Sequence, residues 1–229
     1  PLLGAFLGSG GVVALPYGEE TLISYEAGFK KTLADGRSSL NASVFYYDYS
    51  DYQAFLFVGV GGVVINADAE NYGAEIEFQT SPADGFDLIL GASVLDATVK
   101  DVPLRAFSPL PPRDVEPAYA PPFQATAIAR YEWGGLGGML HVRGDVSYSD
   151  GFFYNLRNFD ADKFDSYTLV GLGVGWENEA ADWKVDLQIR NLTDERAGVQ
   201  GFDLATLCGC NEVAYRAPRS VGISLRREF

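Results

Sequence analysis

Hydrophobic and polar residues alternate with a period of two along most of this chain. From Trp183 the order is Trp-Lys-Val-Asp-Leu-Gln-Ile-Arg, which puts Trp183, Val185, Leu187 and Ile189 on one side of an extended segment and Lys184, Asp186, Gln188 and Arg190 on the other. Leu140, Val142, Val146 and Tyr148 alternate in the same way with His141, Arg143, Asp145 and Ser147. Val170, Leu172, Val174 and Trp176 alternate with Gly171, Gly173 and Gly175, and Ala74, Ile76 and Phe78 alternate with Glu75, Glu77 and Gln79. At the end, Val221, Ile223, Leu225 and Phe229 oppose Ser220, Gly222, Ser224, Arg226 and Glu228, with Arg227 the one charge on the apolar side. The pattern predicts an all-β chain of about nine strands, near 21–33, 38–51, 69–80, 85–98, 122–133, 138–149, 164–177, 182–193 and 213–229.

Several of these strands exceed the five or six residues usual in soluble sheets and suit the roughly 9–11 needed to cross a membrane. Their connections alternate in length. Residues 34–37, 81–84, 134–137 and 178–181 are tight turns, most of them rich in Gly, Asp or Pro, whereas 52–68, 99–121, 150–163 and 194–212 are long links. Short periplasmic turns and long extracellular loops are the mark of an outer-membrane barrel, and a soluble sandwich has no reason to keep this asymmetry strand after strand. Period two alone does not say which face meets which solvent. In a sandwich the apolar face is the core; in a membrane barrel it meets lipid and the polar face lines the lumen. Strand length, loop alternation and the aromatics at strand ends (Tyr131, Trp133, Tyr148, Trp176, Trp183, Phe229) favour the barrel, because Trp and Tyr settle at membrane interfaces.

Composition adds little to this and excludes some partners. Among 229 residues there are 26 Gly, 13 Tyr and 15 Phe but one Met and one His, a balance that favours strands and turns over helices. No uncharged stretch is an unbroken run of the roughly 20 apolar residues that a membrane helix needs. A formal charge of −14 argues against nucleic acid or an anionic surface as partner and leans against a strongly anionic ligand. The chain opens on Pro1 without a methionine, and neither a basic segment nor a cleavage site frames its apolar start, so it is expected to be a piece of a longer protein.

Two stretches, with a third between them, resemble the TonB-dependent receptor family. The first runs Ser24-Tyr25-Glu26-Ala27-Gly28-Phe29-Lys30, then Asp35-Gly36-Arg37, then Leu40-Asn41-Ala42-Ser43-Val44-Phe45-Tyr46-Tyr47-Asp48-Tyr49. The second is Asn191-Leu192-Thr193-Asp194-Glu195, a long loop, then Pro218-Arg219-Ser220-Val221-Gly222-Ile223-Ser224-Leu225 and Phe229; between them lies Tyr72-Gly73-Ala74-Glu75-Ile76-Glu77. The resemblance implies that residues 1–229 are the C-terminal part of a transmembrane antiparallel β-barrel, the last nine strands of about 22, with the N-terminal plug domain and the TonB-contacting segment outside this chain. It implies TonB-dependent active uptake of a scarce nutrient across the bacterial outer membrane, most commonly a ferric siderophore, with cobalamin or oligosaccharide as other cargoes. The rival class is a passive porin. Outer-membrane lipid, the TonB complex through the missing N-terminal part, the barrel-assembly machinery through the last strand and a small nutrient ligand are the partners implied. No covalent chemistry and no cofactor are expected.

Candidate sites are few. His141 shares its face only with Arg143 and Asp145, which offer no nucleophile and no paired acid, so it reads as lumen lining rather than as part of a catalytic site. The Gly134–Gly138 run links two strands with no helix to follow and reads as a turn, not a phosphate cradle. The richest loop holds Phe152, Phe153, Tyr154, Arg157 and Phe159, which could grip a planar or sugar-like ligand by stacking and hydrogen bonding, or else pack against neighbouring loops. Val221, Ile223, Leu225 and Phe229 are the expected membrane-assembly signal, apolar at alternate positions with an aromatic end. Cys208-Gly209-Cys210 falls in the loop before the last strand. With no further Cys or His near in sequence a metal site lacks ligands, and an oxidising periplasm disfavours free thiols, so a disulfide is expected there.

Overall fold

The computed structural model of the chain describes residues 17–33, 36–58, 61–103, 111–180 and 182–228. Its strands are β1 (Thr21–Thr32), β2 (Ser38–Val58), β3 (Gly61–Ala83), β4 (Phe86–Val102), β5 (Arg113–Val115), β6 (Phe123–Gly135), β7 (Gly138–Ser149), β8 (Phe152–Phe153), β9 (Lys163–Phe164), β10 (Tyr167–Asn178), β11 (Trp183–Arg190), β12 (Gly198–Leu204), β13 (Cys210–Tyr215) and β14 (Ser220–Arg227). Nine of them form one antiparallel sheet in the order β1-β2-β3-β4-β6-β7-β10-β11-β14, and β5 pairs with the outer end of β4. Sequential neighbours pair throughout, as in an up-and-down barrel wall.

Register turns the alternation of each strand into continuous rows. Phe29, Ala42, Ile76, Ala92, Ala125 and Tyr148 lie side by side across six strands. Nearer the short turns, Phe86, Tyr131, Val142, Val174, Leu187 and Ile223 form a second apolar row. The opposite face carries Gly28, Ser43, Glu75, Ser93, Gln124 and Ser149 in one row and Asp87, Arg130, Arg143, Gly173, Gln188 and Gly222 in another. No second layer covers the apolar rows among the described residues: Ile76 is 49% exposed, Leu172 41% and Ile223 77%. The long loops fold instead over the polar face, where Ala69 and Val99, in the same faces of β3 and β4 as Glu75 and Ser93, are buried beneath them. The polar face is therefore the inner one, and the apolar band faces outward across the whole sheet. An apolar surface that wide is the outer wall of a membrane barrel.

Aromatics mark both margins of the band. Tyr25, Tyr46 and Tyr72 form a row on the loop side. On the turn side Tyr131 stacks on Trp133 with centroids 5.4 Å apart, and Arg227 lies over the Trp183 ring at 5.0 Å. This pairing is what holds the one charge of the last strand's apolar side: the stem lies along the wall and the guanidinium reaches the interface.

The nine strands lie where alternation puts them, with three differences. β2 and β3 run on as a hairpin of 21 and 23 residues, so 52–68 is mostly strand rather than loop. A bulge between Tyr49 and Tyr52, with Asp51 at φ 57°, shifts the alternation by one residue; beyond it Ala54 and Leu56 point to the same side as Tyr49. The links 150–163 and 194–212 likewise contain hairpins of their own, β8–β9 and β12–β13. The expected last strand, 213–229, is two strands: β13 belongs to the loop hairpin and only β14 joins the wall, beside β11. The break falls at 216–219, where Pro218 has no N–H to give to a ladder. Asn191 donates to Ala217 O at 3.2 Å and the Asp194 carboxylate accepts the Arg219 N–H at 2.8 Å, so the Asn191–Glu195 segment clamps the entry to the last strand. Val221, Ile223 and Leu225 lie in the outward rows; Phe229, and Ala34 and Asp35 of the first turn, lie outside the described residues.

If the outward face meets lipid, Leu187→Arg should destabilise the folded barrel by about 2–4 kcal/mol, whereas Gln188→Arg should cost far less. Urea titration of the full-length protein in lipid vesicles measures both, and equal penalties would mean a two-sided core.

Candidate functional site

The inner face and the loops that fold over it carry the polar groups that a ligand in the lumen would meet. On the inner face a groove of about 710 Å³ runs past Lys30, Asn41, Glu75, Glu77, Gln124 and Thr126. Asn41 and Gln79 both donate to the Glu77 carboxylate, at 3.1 and 2.9 Å. Glu26, Glu75 and Glu77 line the β1–β3 side with Lys30 among them, while towards the turns of β6, β7 and β11 Arg130, Arg143 and Lys184 each pair with an acid, Glu132, Asp145 and Glu177. His141 reaches Asp186 at 3.3 Å although β10 runs between their strands. Gly175 makes this possible, since a Cβ there would collide with both side chains. His141 thus lines the lumen beside Arg143.

Above the lumen the loops build two cores. In the first, Ala54, Leu56, Ala69, Val99, Val102, Val115 and Leu156 are buried together, so Leu156 pins the 150–166 loop to the tops of β2, β4 and β5. In the second, Phe152, Tyr154 and Phe164 are buried, with Tyr154 and Phe164 centroids 4.8 Å apart. Tyr154 also lies flat on β12 at Gly201, where an added Cβ would sit 2.6 Å from the ring.

Polar groups join these loops. Arg113 donates to the Arg157 and Asn158 carbonyls at 2.6 and 2.9 Å. Asn158, at φ 50°, gives its side-chain N–H to Glu116 O at 3.0 Å and accepts the Glu116 N–H at 2.6 Å, a left-handed turn that Asn tolerates well. Tyr119 donates its N–H to Phe153 O at 2.8 Å and accepts the Gly201 N–H on its hydroxyl at 3.4 Å. Arg157 and Asp203 form an ion pair whose side chains are 6% and 3% exposed. Removing one partner of such a pair costs about 3–5 kcal/mol, because the other charge is left buried.

The five aromatic and basic loop residues fall into two groups. Phe152, Tyr154 and Arg157 are buried by their own neighbours, and further strands or a lumen filling could only bury them more. They hold the loops together, the two rings by packing and the guanidinium by its pairing with Asp203. Phe153 and Phe159 stay half-buried: Lys163 lies over the Phe153 ring at 5.1 Å, and Arg157 and Arg113 lie 5.2 and 5.9 Å from the Phe159 ring. Cys208 and Cys210 are joined by a disulfide, their Cα atoms 5.3 Å apart, with Gly209 at φ 67° closing the helical turn α1 (Ala205–Cys208). The bridge rigidifies the tip between β12 and β13, though a ring this small adds little to overall stability. Arg113, Tyr119, Asp203 and Asn211, which donates to the Tyr154 hydroxyl at 2.8 Å, are not singled out by sequence pattern. Each works through a partner more than 40 residues away, and spacing carries no sign of that.

A family model for the TonB-dependent receptor-like β-barrel matches residues 2–192. The chain belongs to the TonB-dependent receptor β-barrel family. It is accordingly an outer-membrane barrel wall, which fits the outward apolar band and the capped polar lumen. The fold matches solved receptor structures. With the ferric yersiniabactin uptake receptor FyuA from Yersinia pestis the TM-score is 0.74 at 20% identity, over 92% of this chain and 30% of that one. With the ferric-catecholate import receptor Fiu from E. coli it is 0.68 at 17%, over 93% and 28%. With BauA, the ferric preacinetobactin receptor from Acinetobacter baumannii, it is 0.65 at 21%, over 91% and 29%. The chain thus spans about 30% of the length of these receptors.

The Tyr154 contact on β12 can be tested in this receptor barrel. Gly201→Ala should part the β12–β13 hairpin from the 150–166 loop and raise proteinase K cleavage within 150–215 on intact cells several-fold. The heat-modifiable gel band of the folded barrel should stay unchanged. Unaltered protease resistance would show that the cap does not depend on this contact.

Proposed function

We propose that this chain is the C-terminal part of the barrel of an active-uptake receptor, and that its cargo is a ferric siderophore. What carries the reading is the family membership together with a polar lumen wall closed over by tightly bonded loops. A passive channel has no use for loops fastened to one another by a buried ion pair and two apolar cores, whereas a receptor must present a fixed surface to a scarce ligand. The FyuA, Fiu and BauA structures, all named as receptors of ferric chelates, support the choice of cargo over cobalamin or an oligosaccharide.

In this reading a plug domain, outside this chain, fills the lumen and carries the TonB-contacting segment. Its surface towards β1–β3 is basic, to meet Glu26, Glu75 and Glu77. Ligand reaches the loop cap from outside, and Phe153 and Phe159 are the members of the aromatic loop that touch it. Outer-membrane lipid covers the apolar rows, and the barrel-assembly machinery reads the last strand through Val221, Ile223, Leu225 and Phe229.

Uptake of radiolabelled iron tests this reading in the organism that carries the full-length gene. Deleting the gene should abolish uptake of at least one ferric siderophore under iron restriction, and a protonophore should stop uptake in the parent strain. In the full-length protein, Phe153→Ala and Phe159→Ala should each weaken binding of that siderophore by about two- to tenfold at unchanged surface level. Uptake that persists with the protonophore would identify a passive channel, and a deletion that affects only vitamin or glycan uptake would reassign the cargo.

A further inference from the structure

The loop cap buries a carboxylate that has no cation of its own. Asp162 closes the single 3-10 turn Asp160–Asp162 and is 1% exposed. Its Oδ1 accepts a hydrogen bond from Asn211 Nδ2 at 3.2 Å, while its Oδ2 is buried without a partner. Arg157, on the same loop, is the guanidinium that faces it, and Arg157 is committed to Asp203 of β12. Two buried carboxylates therefore share one arginine.

The other groups against Asp162 do not make up the deficit. The Tyr154 hydroxyl, 2.8 Å from Ala161 O, also faces the Asp162 carboxylate, and Asn211 of β13 donates to it; both are neutral and bring no charge. Lys163 places its ammonium over the Phe153 ring, and Asp160 is exposed. A buried carboxylate in these surroundings escapes its desolvation cost by keeping a proton.

We propose that Asp162 is a proton-operated latch of the extracellular cap: protonated, it lets the 150–166 loop and the β12–β13 hairpin close on each other, and ionised, it weakens that closure. Burial first, and then the charge of Asp203, push Asp162 up to about 6 against the pull of Arg157 and of the hydrogen bonds from Tyr154 and Asn211. An opened, solvated Asp162 releases its proton near the ordinary value of 3.8. Between those two values the closed cap holds a proton that the open cap does not, so closure weakens as pH rises through this window and levels off above it. Asn155 Nδ2 and Arg157 Nε are also buried without partners, which brings the closed arrangement nearer its opening threshold.

Hydrogen–deuterium exchange of the full-length receptor in lipid nanodiscs tests the latch, with rates corrected for the intrinsic effect of pH. Peptides from 150–166 and 198–215 should be at least about tenfold better protected at pH 4.5 than at pH 7.5. Wall peptides from β6 and β7 should not change. In D162N the same loop peptides should be protected at both pH values to the level the parent reaches at pH 4.5. D203N removes the carboxylate that competes for Arg157 and the charge that pushes Asp162 up, so the difference between the two pH values should shrink. Protection that does not vary with pH in the parent overturns the proposal, and so does a D162N receptor that keeps the pH dependence. Closure at pH 7.5 by millimolar calcium would overturn it in favour of a bound cation. If D162N fails to assemble, the parent comparison decides alone.

Discussion

Within hydrocarbon there is no water to satisfy a backbone N–H or C=O, so a chain that crosses as strands must spend every such group on a neighbouring strand. The unbroken antiparallel ladder from β1 to β14 is the answer of this chain to that constraint. Once the ladder is imposed, each side chain has one of two destinations, and a register error of one residue would turn a whole apolar row into the lumen. Connections on the turn side must be as tight as the ladder allows. Leu136 and Gly137, both at positive φ, make a two-residue turn whose twist matches the strands it joins.

Outside the membrane the constraint is lifted, and the chain behaves like a small soluble protein. The loops bury Leu156 in one core and Phe152, Tyr154 and Phe164 in another, and they pair an arginine with a carboxylate away from solvent. The result is a cap whose shape is set by packing and buried polar bonds, standing over a wall shaped by backbone hydrogen bonding. A receptor gains from this division: the wall is held by its own ladder, so the loops are free to fit a cargo or to respond to their surroundings. Asp162, Asp203 and Arg157 lie wholly on the cap side of that boundary.

The wall was legible in the sequence because it obeys one simple rule. Trp183 to Arg190 alternates without fault, and it is found as a wall strand with Leu187 outward and Gln188 inward. Legibility ended where the rule was broken or no longer applied. The bulge at Tyr49–Tyr52 shifts the alternation by one residue, so Ala54 and Leu56 read as out of phase although the strand continues. Val213 and Tyr215 resemble the start of the last wall strand in composition, yet they pair with β12, and Pro218 with the clamp from Asn191 and Asp194 at 216–219 separates the two. The aromatic loop was visible as a cluster, but the division into buried Phe152, Tyr154 and Arg157 and half-buried Phe153 and Phe159 is not. It depends on Gly201 and Asp203, which lie about fifty residues further on and bear on the loop only through the fold.

The central claim is that the exposed apolar face of this sheet is solvated by lipid. Nitroxide labels placed one at a time from residue 184 to 189 of the full-length receptor, reconstituted in bilayers, test it most directly through their collisions with oxygen and with a water-soluble nickel chelate. Oxygen should dominate at 185, 187 and 189, and the even-numbered sites should show neither the high oxygen contact nor its depth gradient. Uniform accessibility along the strand, or oxygen contact in the opposite phase, would contradict the account.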